Sequence, residues 1–304
     1  MKVRIGIGLG GSGTPGEFAG AVDMLEDMGA DSLWLPEMVF GPLVEPMVGM
    51  AHALSRTERL KVGTGISVLP GRNPVLVAKQ LASLAGLAPG RVLPVFGLQP
   101  ARPAERPLFP VPAGRRAAVF DESLELLRLL LRQQTVSFTG EFFTVDGAGV
   151  APLPAKPLDI WLGGSAPAAL RRVGRLADGW LGSFLTPAET RAARETIQAA
   201  ADAAGREVEA DHFGISLAVA TGPVPAELAA SVRQRRPDAD PASLIPVSWP
   251  AARRMIEEYV DAGLSKFVIR PATVPSGSGG AAAGAAGLAR FLDGFASELM
   301  PLQN

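Results

Sequence analysis

The residues best placed by type and spacing to do chemistry lie in one short stretch, Leu158-Asp-Ile-Trp-Leu-Gly-Gly-Ser-Ala-Pro167. A short apolar run from Leu158 to Leu162 reads as a strand buried on both faces. Gly163-Gly164-Ser165 breaks it, and Ala166-Pro167 starts a helix, with Ser165 placed as its cap and Pro167 in its first turn. Glycines directly before a helix leave backbone N–H groups free at a positive dipole end, a site suited to a phosphate or carboxylate. The chemistry on offer is anion binding.

Glu37 is the second candidate. Asp31-Ser-Leu-Trp-Leu-Pro-Glu37 reads as a strand stopped at Pro36. Its carboxylate then stands at a strand's C-terminal end, where parallel barrels build active sites. Gly8-Leu-Gly10-Gly-Ser-Gly13 spells GxGxxG after a strand. A dinucleotide site needs its helix to begin inside the glycines, whereas Thr14-Pro15-Gly16 delays it here. That loop reads instead as a turn or a close backbone approach to a ligand. His52 lies among Ala and Met, and His212 precedes its strand. There is no GxSxG, no HExxH and no cysteine, so triads, thiol chemistry and protein-held metals are not expected. An anion site with little acid–base machinery suits a bound cofactor that carries the reactive atom.

The 304 residues are 47% hydrophobic with formal net charge −1. Balanced charge argues against a nucleic-acid or membrane-surface partner. MKVRIGIGLGG reads as a strand running into glycines rather than a leader, and no apolar run reaches spanning length, so a cytoplasmic protein is expected. Strands are predicted at Val3–Leu9, Asp31–Leu35, Leu60–Leu69, Val92–Phe96, Leu158–Leu162, Trp180–Leu181, Phe213–Ala220 and Lys266–Arg270, with helices between them. Eight alternating strands close a (β/α)8 TIM barrel, read as a single domain over 1–304. Val136, Phe138, Phe142 and Val145 around Thr139-Gly140 predict a small hairpin inserted before strand five. Thr186-Pro-Ala-Glu189 predicts a capping box. Ser276–Gly287 reads as a mobile Gly/Ala/Ser loop. Ala30-Asp31-Ser-Leu-Trp34-Leu35 echoes Ala177-Asp178-Gly-Trp180-Leu181 at about half the chain, which fits strands two and six of an eightfold ring. Trp34, Val68, Leu69, Phe96 and Trp180 read either as walls for a planar ring or as core.

Several stretches in order resemble the bacterial luciferase-like superfamily, in particular its flavin and coenzyme F-420 branch. They are Met28-Gly-Ala-Asp-Ser-Leu-Trp-Leu-Pro-Glu37, Arg56-Thr-Glu-Arg-Leu-Lys-Val-Gly-Thr-Gly65, Arg72-Asn-Pro-Val-Leu-Val-Ala78, Gly90-Arg-Val92, Gly114-Arg115, Gly140-Glu-Phe-Phe143 and the Gly163 unit. The resemblance implies F-420 or FMN as cofactor and hydride transfer with a small organic substrate, or a monooxygenase if FMN is used. It implies that Gly163, Gly164 and Ser165 hold the cofactor phosphate. It implies a non-proline cis peptide at Ser67-Val68 behind the ring, Glu37 as the acid near the ring's reactive end, and a homodimer.

Two departures stand against that pattern. Met38 occupies a position often held by His, and Pro94-Val-Phe-Gly97-Leu-Gln99-Pro100 replaces a glycine-rich turn of which Gly97 remains. Either the cofactor tail binds through Arg72, Arg102 or Arg270, or binding is weakened and the chain is a catalytically weakened ligand-binding barrel; Arg102 reads as a solvated loop charge. A phosphate-substrate barrel enzyme is the third reading, short of an acid and a base.

Overall fold

The computed structural model describes residues 2–10, 14–272 and 281–304, without the side chains of 281–286. The elements begin with β1 (Arg4–Gly8), α1 (Pro15–Asp27), β2 (Ser32–Leu35), α2 (Pro46–Arg56), β3 (Lys61–Thr64), β4 (Ser67–Val68), α3 (Pro74–Leu87), β5 (Val92–Leu93), β6 (Val95–Gly97) and α4 (Arg116–Leu130). Then come β7 (Val136–Thr139), β8 (Thr144–Ala148), β9 (Trp161–Gly163), α5 (Pro167–Leu176), β10 (Gly179–Ser183) and α6 (Pro187–Ala203). The chain closes with β11 (Phe213–Val219), α7 (Ala226–Arg235), α8 (Trp249–Asp261), β12 (Lys266–Pro271) and α9 (Ala281–Glu298).

Ten strands pair in parallel in the order β4-β6-β9-β10-β11-β12-β1-β2-β3-β5. β3 and β4 are one passage of chain, interrupted at Gly65-Ile66, and β5 and β6 are another, interrupted at Pro94. Because β3 pairs with β5 and β4 with β6, the sheet curls until both of its ends are made by these same two passages. Eight passages follow in chain order. The strands predicted as Leu60–Leu69 and Val92–Phe96 are therefore each split. Pro94 has no N–H to give the ladder, and the buried Thr64 hydroxyl bridges the gap, donating to the Val95 carbonyl at 2.6 Å and accepting from its N–H at 2.8 Å. β7 and β8 form a separate antiparallel pair.

Local signals explain most helix starts. Proline stands in the first turn of α1, α2, α3, α5, α6 and α8, where its fixed φ suits the helix and its missing N–H is not needed. The Thr186–Glu189 capping box forms as its sequence predicts. Thr186→Ala should cost about 1 kcal/mol in a chemical denaturation series; no change in midpoint would show that tertiary contacts alone hold α6. Ser165 does not cap α5: the N-cap is Ala166, with no side-chain hydrogen bond, because the chain stays extended one residue further before Pro167. β9 begins at Trp161, three residues later than expected. α7 lies inside the polar, proline-bounded stretch from Pro223 to Asp240. α9 begins at Ala281, inside the tract read as a mobile loop, and 276–280 lie outside the described residues.

The main core lies between the outer face of the sheet and the helices. The interior is filled separately by Trp34, Val95, Trp161, Leu181 and Val268, with Ile66 and Leu93 against them. Two indoles fit there because glycines face them. A Cβ at Gly6 would sit 2.8 Å from Trp34 Nε1, and one at Gly63 would sit 3.1 Å from Trp34 Cζ3. The echoed segments stand at the second and sixth passages, β2 and β10. Each Asp neutralises cations at the N-terminal end of its strand: Asp31 binds Lys61 and Lys266 at 2.9 and 3.1 Å, and Asp178 binds Arg128 through two bonds of 2.6 and 2.8 Å. Among the described residues no helix is long and apolar enough to cross a membrane.

Candidate active site

Parallel pairing brings every strand's C-terminal end to one rim, where Glu37, Val68, Gly97, Gly163 and Arg270 meet. Glu37 follows β2 with its side chain 4% exposed. One carboxylate oxygen accepts from the Val68 N–H at 2.7 Å, and the other is paired with the Arg72 guanidinium. Arg72 Nε donates to the Val68 carbonyl at 2.9 Å, so both polar groups of the Val68 residue are held. Burial pushes the Glu37 carboxyl above its usual range, against the lowering effects of Val68 N–H and Arg72. Glu37 is thereby a brace for the backbone around Val68, and Arg72, stacked 5.4 Å from the Phe109 ring, is its partner.

The non-proline cis peptide lies at Gly65-Ile66, two residues before the expected Ser67-Val68. It occupies the interruption between β3 and β4, whereas Ser67 and Val68 continue in regular pairing with Phe96 and Gly97. The Ile66 carbonyl accepts a 3.3 Å bond from the Glu37 N–H, and its side chain lies against Gly97 and Gly163. A Cβ at Gly97 would overlap Ile66 Cδ1, and one at Gly163 would lie 3.3 Å from it. Gly97 and Gly163 make room for the Ile66 side chain.

The turn beyond β9 is open. Gly164, Ser165 and Ala166 are exposed, and the Ser165 and Ala166 N–H groups have no partner among the described residues. Gly164 has φ +109, a conformation that glycine alone adopts readily, and its carbonyl accepts from Trp180 Nε1 at 2.8 Å. The indole of the second echoed segment therefore fixes the turn.

Of the three candidate arginines, Arg72 is committed to Glu37. Arg102 donates to the Phe40 carbonyl at 3.1 Å, while buried Glu105 accepts from the Phe40 N–H at 3.0 Å. Together they fasten the loop after β6 to the loop after β2. Arg270 is half-buried at the mouth of the barrel and has no acidic partner among the described residues. Trp34, Val68, Leu69, Phe96 and Trp180 are all buried core. His52 is exposed, and His212 sits at the opposite end of the barrel beside Glu209 and Asp211, where Asp211 already binds Arg4 and His212 Nδ1 lies 2.8 Å from the Asp178 carbonyl. Phe184, Arg235 and Glu105 are rim residues that no motif announces. Phe184 has φ +54, the one positive value outside glycine among the described residues.

A parallel α/β barrel with a braced strand break and an exposed glycine turn before a helix on its C-terminal rim defines the class. The family described as luciferase-like monooxygenase matches residues 1–262, and the chain belongs to it. An uncharacterized protein of Mycobacterium tuberculosis is 39% identical over 140 residues, covering 46% of this chain and 48% of that one. An F420-dependent glucose-6-phosphate dehydrogenase of Nakamurella multipartita is 31% identical over 183 residues, covering 55% and 52%. The chain thus spans about half the length of the first curated relatives it matches. Among solved structures, an F420-dependent secondary alcohol dehydrogenase in complex with an F420-acetone adduct superposes with TM-score 0.81 at 18% identity, covering all of both chains. That likeness establishes the fold.

Proposed function

We infer that the protein is an F-420- or FMN-dependent oxidoreductase acting on a small organic substrate, with its cofactor on the C-terminal rim. The observation that carries this reading is the exposed Gly164–Ala166 turn, where the Ser165 and Ala166 N–H groups have no partner among the described residues at a helix start without a side-chain cap. A phosphate fits such a cradle. Gly164, Ser165 and Ala166 would hold it, while Ile66, seated against Gly97 and Gly163, would support the ring, and buried Val68 is held by Glu37 and Arg72. Bound F-420 supplies a hydride carrier, and bound FMN supplies a carrier that also reacts with oxygen. Glucose-6-phosphate dehydrogenases among the relatives support the first cofactor. The same reading takes 1–304 as one cytoplasmic domain with β7–β8 as an insertion, and exposed Val48, Leu76 and Leu87 support a homodimer.

Titration of the purified protein with F-420 and with FMN tests the reading, followed by oxygen consumption of the reduced complex. Saturable binding of one cofactor is expected; binding of neither overturns it. The alternative, a barrel that binds its cofactor passively, is favoured by Met38 and by the full engagement of Glu37 with Val68 and Arg72. Reoxidation no faster than that of free cofactor would select it.

Glu37→Gln separates two roles for the carboxylate. As a brace, it keeps an acceptor for the Val68 N–H but loses the ion pair, so cofactor affinity should fall roughly tenfold with the pH profile of turnover unchanged. Intact affinity with a lost acidic limb in that profile would make Glu37 a proton-transfer residue instead.

A further inference from the structure

The charges on the rim are mostly matched. Arg72 faces Glu37, Arg102 lies 3.8 Å from Glu105, and Arg236 is bound by Glu189 and Asp238 at 2.6 and 2.8 Å. Arg270 and Arg235 differ. Among the described residues neither has a hydrogen bond or an acidic partner, and the undescribed residues contain no Asp or Glu. Both guanidinium groups stand against one ring, that of Phe184, at 5.5 and 5.4 Å from its centroid.

Their position is built. Lys266, Val268 and Arg270 alternate onto one face of β12, and Val268 belongs to the interior cluster. A Cβ at Gly8 would meet Arg270 Cβ at 3.5 Å and Val268 Cγ1 at 3.7 Å. Arg270 is therefore the top inward residue of its strand, in the barrel mouth. Phe184 is held from behind, because Arg236 donates to its carbonyl at 2.6 Å and bonds Glu189 at the same time. α7, which carries Arg235, is seated on a small apolar cluster of Ala218, Ala220, Val232, Leu244, Ile245 and Ala272. The nearby acids are consumed by Arg236, which leaves Arg235 without one. Burial, with Arg235 adding to it, pulls Arg270 down to about 10, and burial lowers Arg235 as well, so the two guanidinium groups sit as a repelling like-charge pair.

We propose that Arg270 and Arg235, set against Phe184, form an oxyanion subsite that takes a carboxylate or phosphate group of the substrate. This rests on the oxidoreductase reading and narrows its substrate to an anionic one. The cofactor tail is the competing source of the anion. It would sit on the Gly164 turn after β9, whereas Phe184 follows β10, the next strand in the pairing order, and Arg270 ends β12, three strands away. Cofactor and small-anion titrations on the same variants separate the two sources.

The experiment titrates wild-type protein, Arg270→Gln, Arg235→Gln and the exposed control Arg233→Gln with inorganic phosphate and, separately, with acetate. F-420 and FMN affinities are measured on the same four proteins. Saturable binding in wild type and Arg233→Gln is expected, weakened at least about tenfold in the other two, with cofactor affinity unchanged. Arg270→Lys, which keeps the charge, should recover part of the loss. Folding is followed by thermal midpoint without added anion, where Arg270→Gln should be no less stable than wild type because a like-charge pair is removed. Equal anion binding in all four proteins overturns the proposal, and joint loss of anion and cofactor binding overturns it by assigning the arginines to the cofactor tail. If neither cofactor binds wild type, the oxidoreductase reading falls, while the anion titrations still decide whether the two arginines are a site.

Discussion

Gly164→Val is expected to abolish cofactor binding, raising Kd by at least roughly a hundredfold, about 2.7 kcal/mol. At φ +109 a β-branched residue is strained, and its Cβ would stand 3.0 Å from the Ala169 Cβ in the first turn of α5. The turn must move, and the Trp180 bond to its carbonyl moves with it. Fold stability should suffer far less, about 1–3 kcal/mol, because the turn is exposed. Titration of F-420 and FMN against a variant shown by circular dichroism to be folded checks this. Unaltered affinity would place the cofactor phosphate elsewhere and remove the main support for the rim site.

The largest stability effect is expected at the other end of the barrel. Asp31 is the partner of Lys266, whose side chain is 5% exposed and lies 5.7 Å from the Trp34 ring. Burial lowers the Lys266 pKa, so its charge is kept there largely through Asp31. Asp31→Ala strands that cation and also removes a contact from Lys61 and from the Ser32 hydroxyl that receives Trp34 Nε1. A loss of roughly 3–5 kcal/mol is expected in chemical denaturation. Burial alone would raise the Asp31 pKa, but Lys266 and Lys61 outweigh it and hold it at about 2, below its value of 3.8 when unperturbed. Its stabilisation is therefore complete above about pH 4 and fades as pH falls through about 2. The gap between wild type and variant should narrow over that window; a gap independent of pH would refute the ionic account.

The two echoed segments illustrate what periodicity and composition convey. Asp31 and Asp178, with Trp34 and Trp180 downstream, were recognisable as a repeat, and the repeat placed them four passages apart. Their tasks diverge only in three dimensions. Trp34 fills the barrel interior between glycines, whereas Trp180 reaches back to brace the Gly164 turn. Helix starts were legible for a simple reason: proline and capping residues act on neighbours within a few positions. Glu37 was legible as a strand-end carboxylate, but its engagement by Arg72, 35 positions away, was not.

By itself, then, the sequence determined the alternation of strands and helices, most helix starts, the glycine turn after β9 and the family pattern spread along the chain. These features depend on local backbone preference and on which face of a segment is apolar, and both are written in consecutive residues. Tertiary structure alone decided that Gly97 and Gly163 accommodate Ile66, that the cis peptide lies at Gly65-Ile66, and that Arg270 is left without a counter-charge while Arg236 takes two. Close approach and charge pairing are properties of residues brought together from distant strands, so no local pattern encodes them.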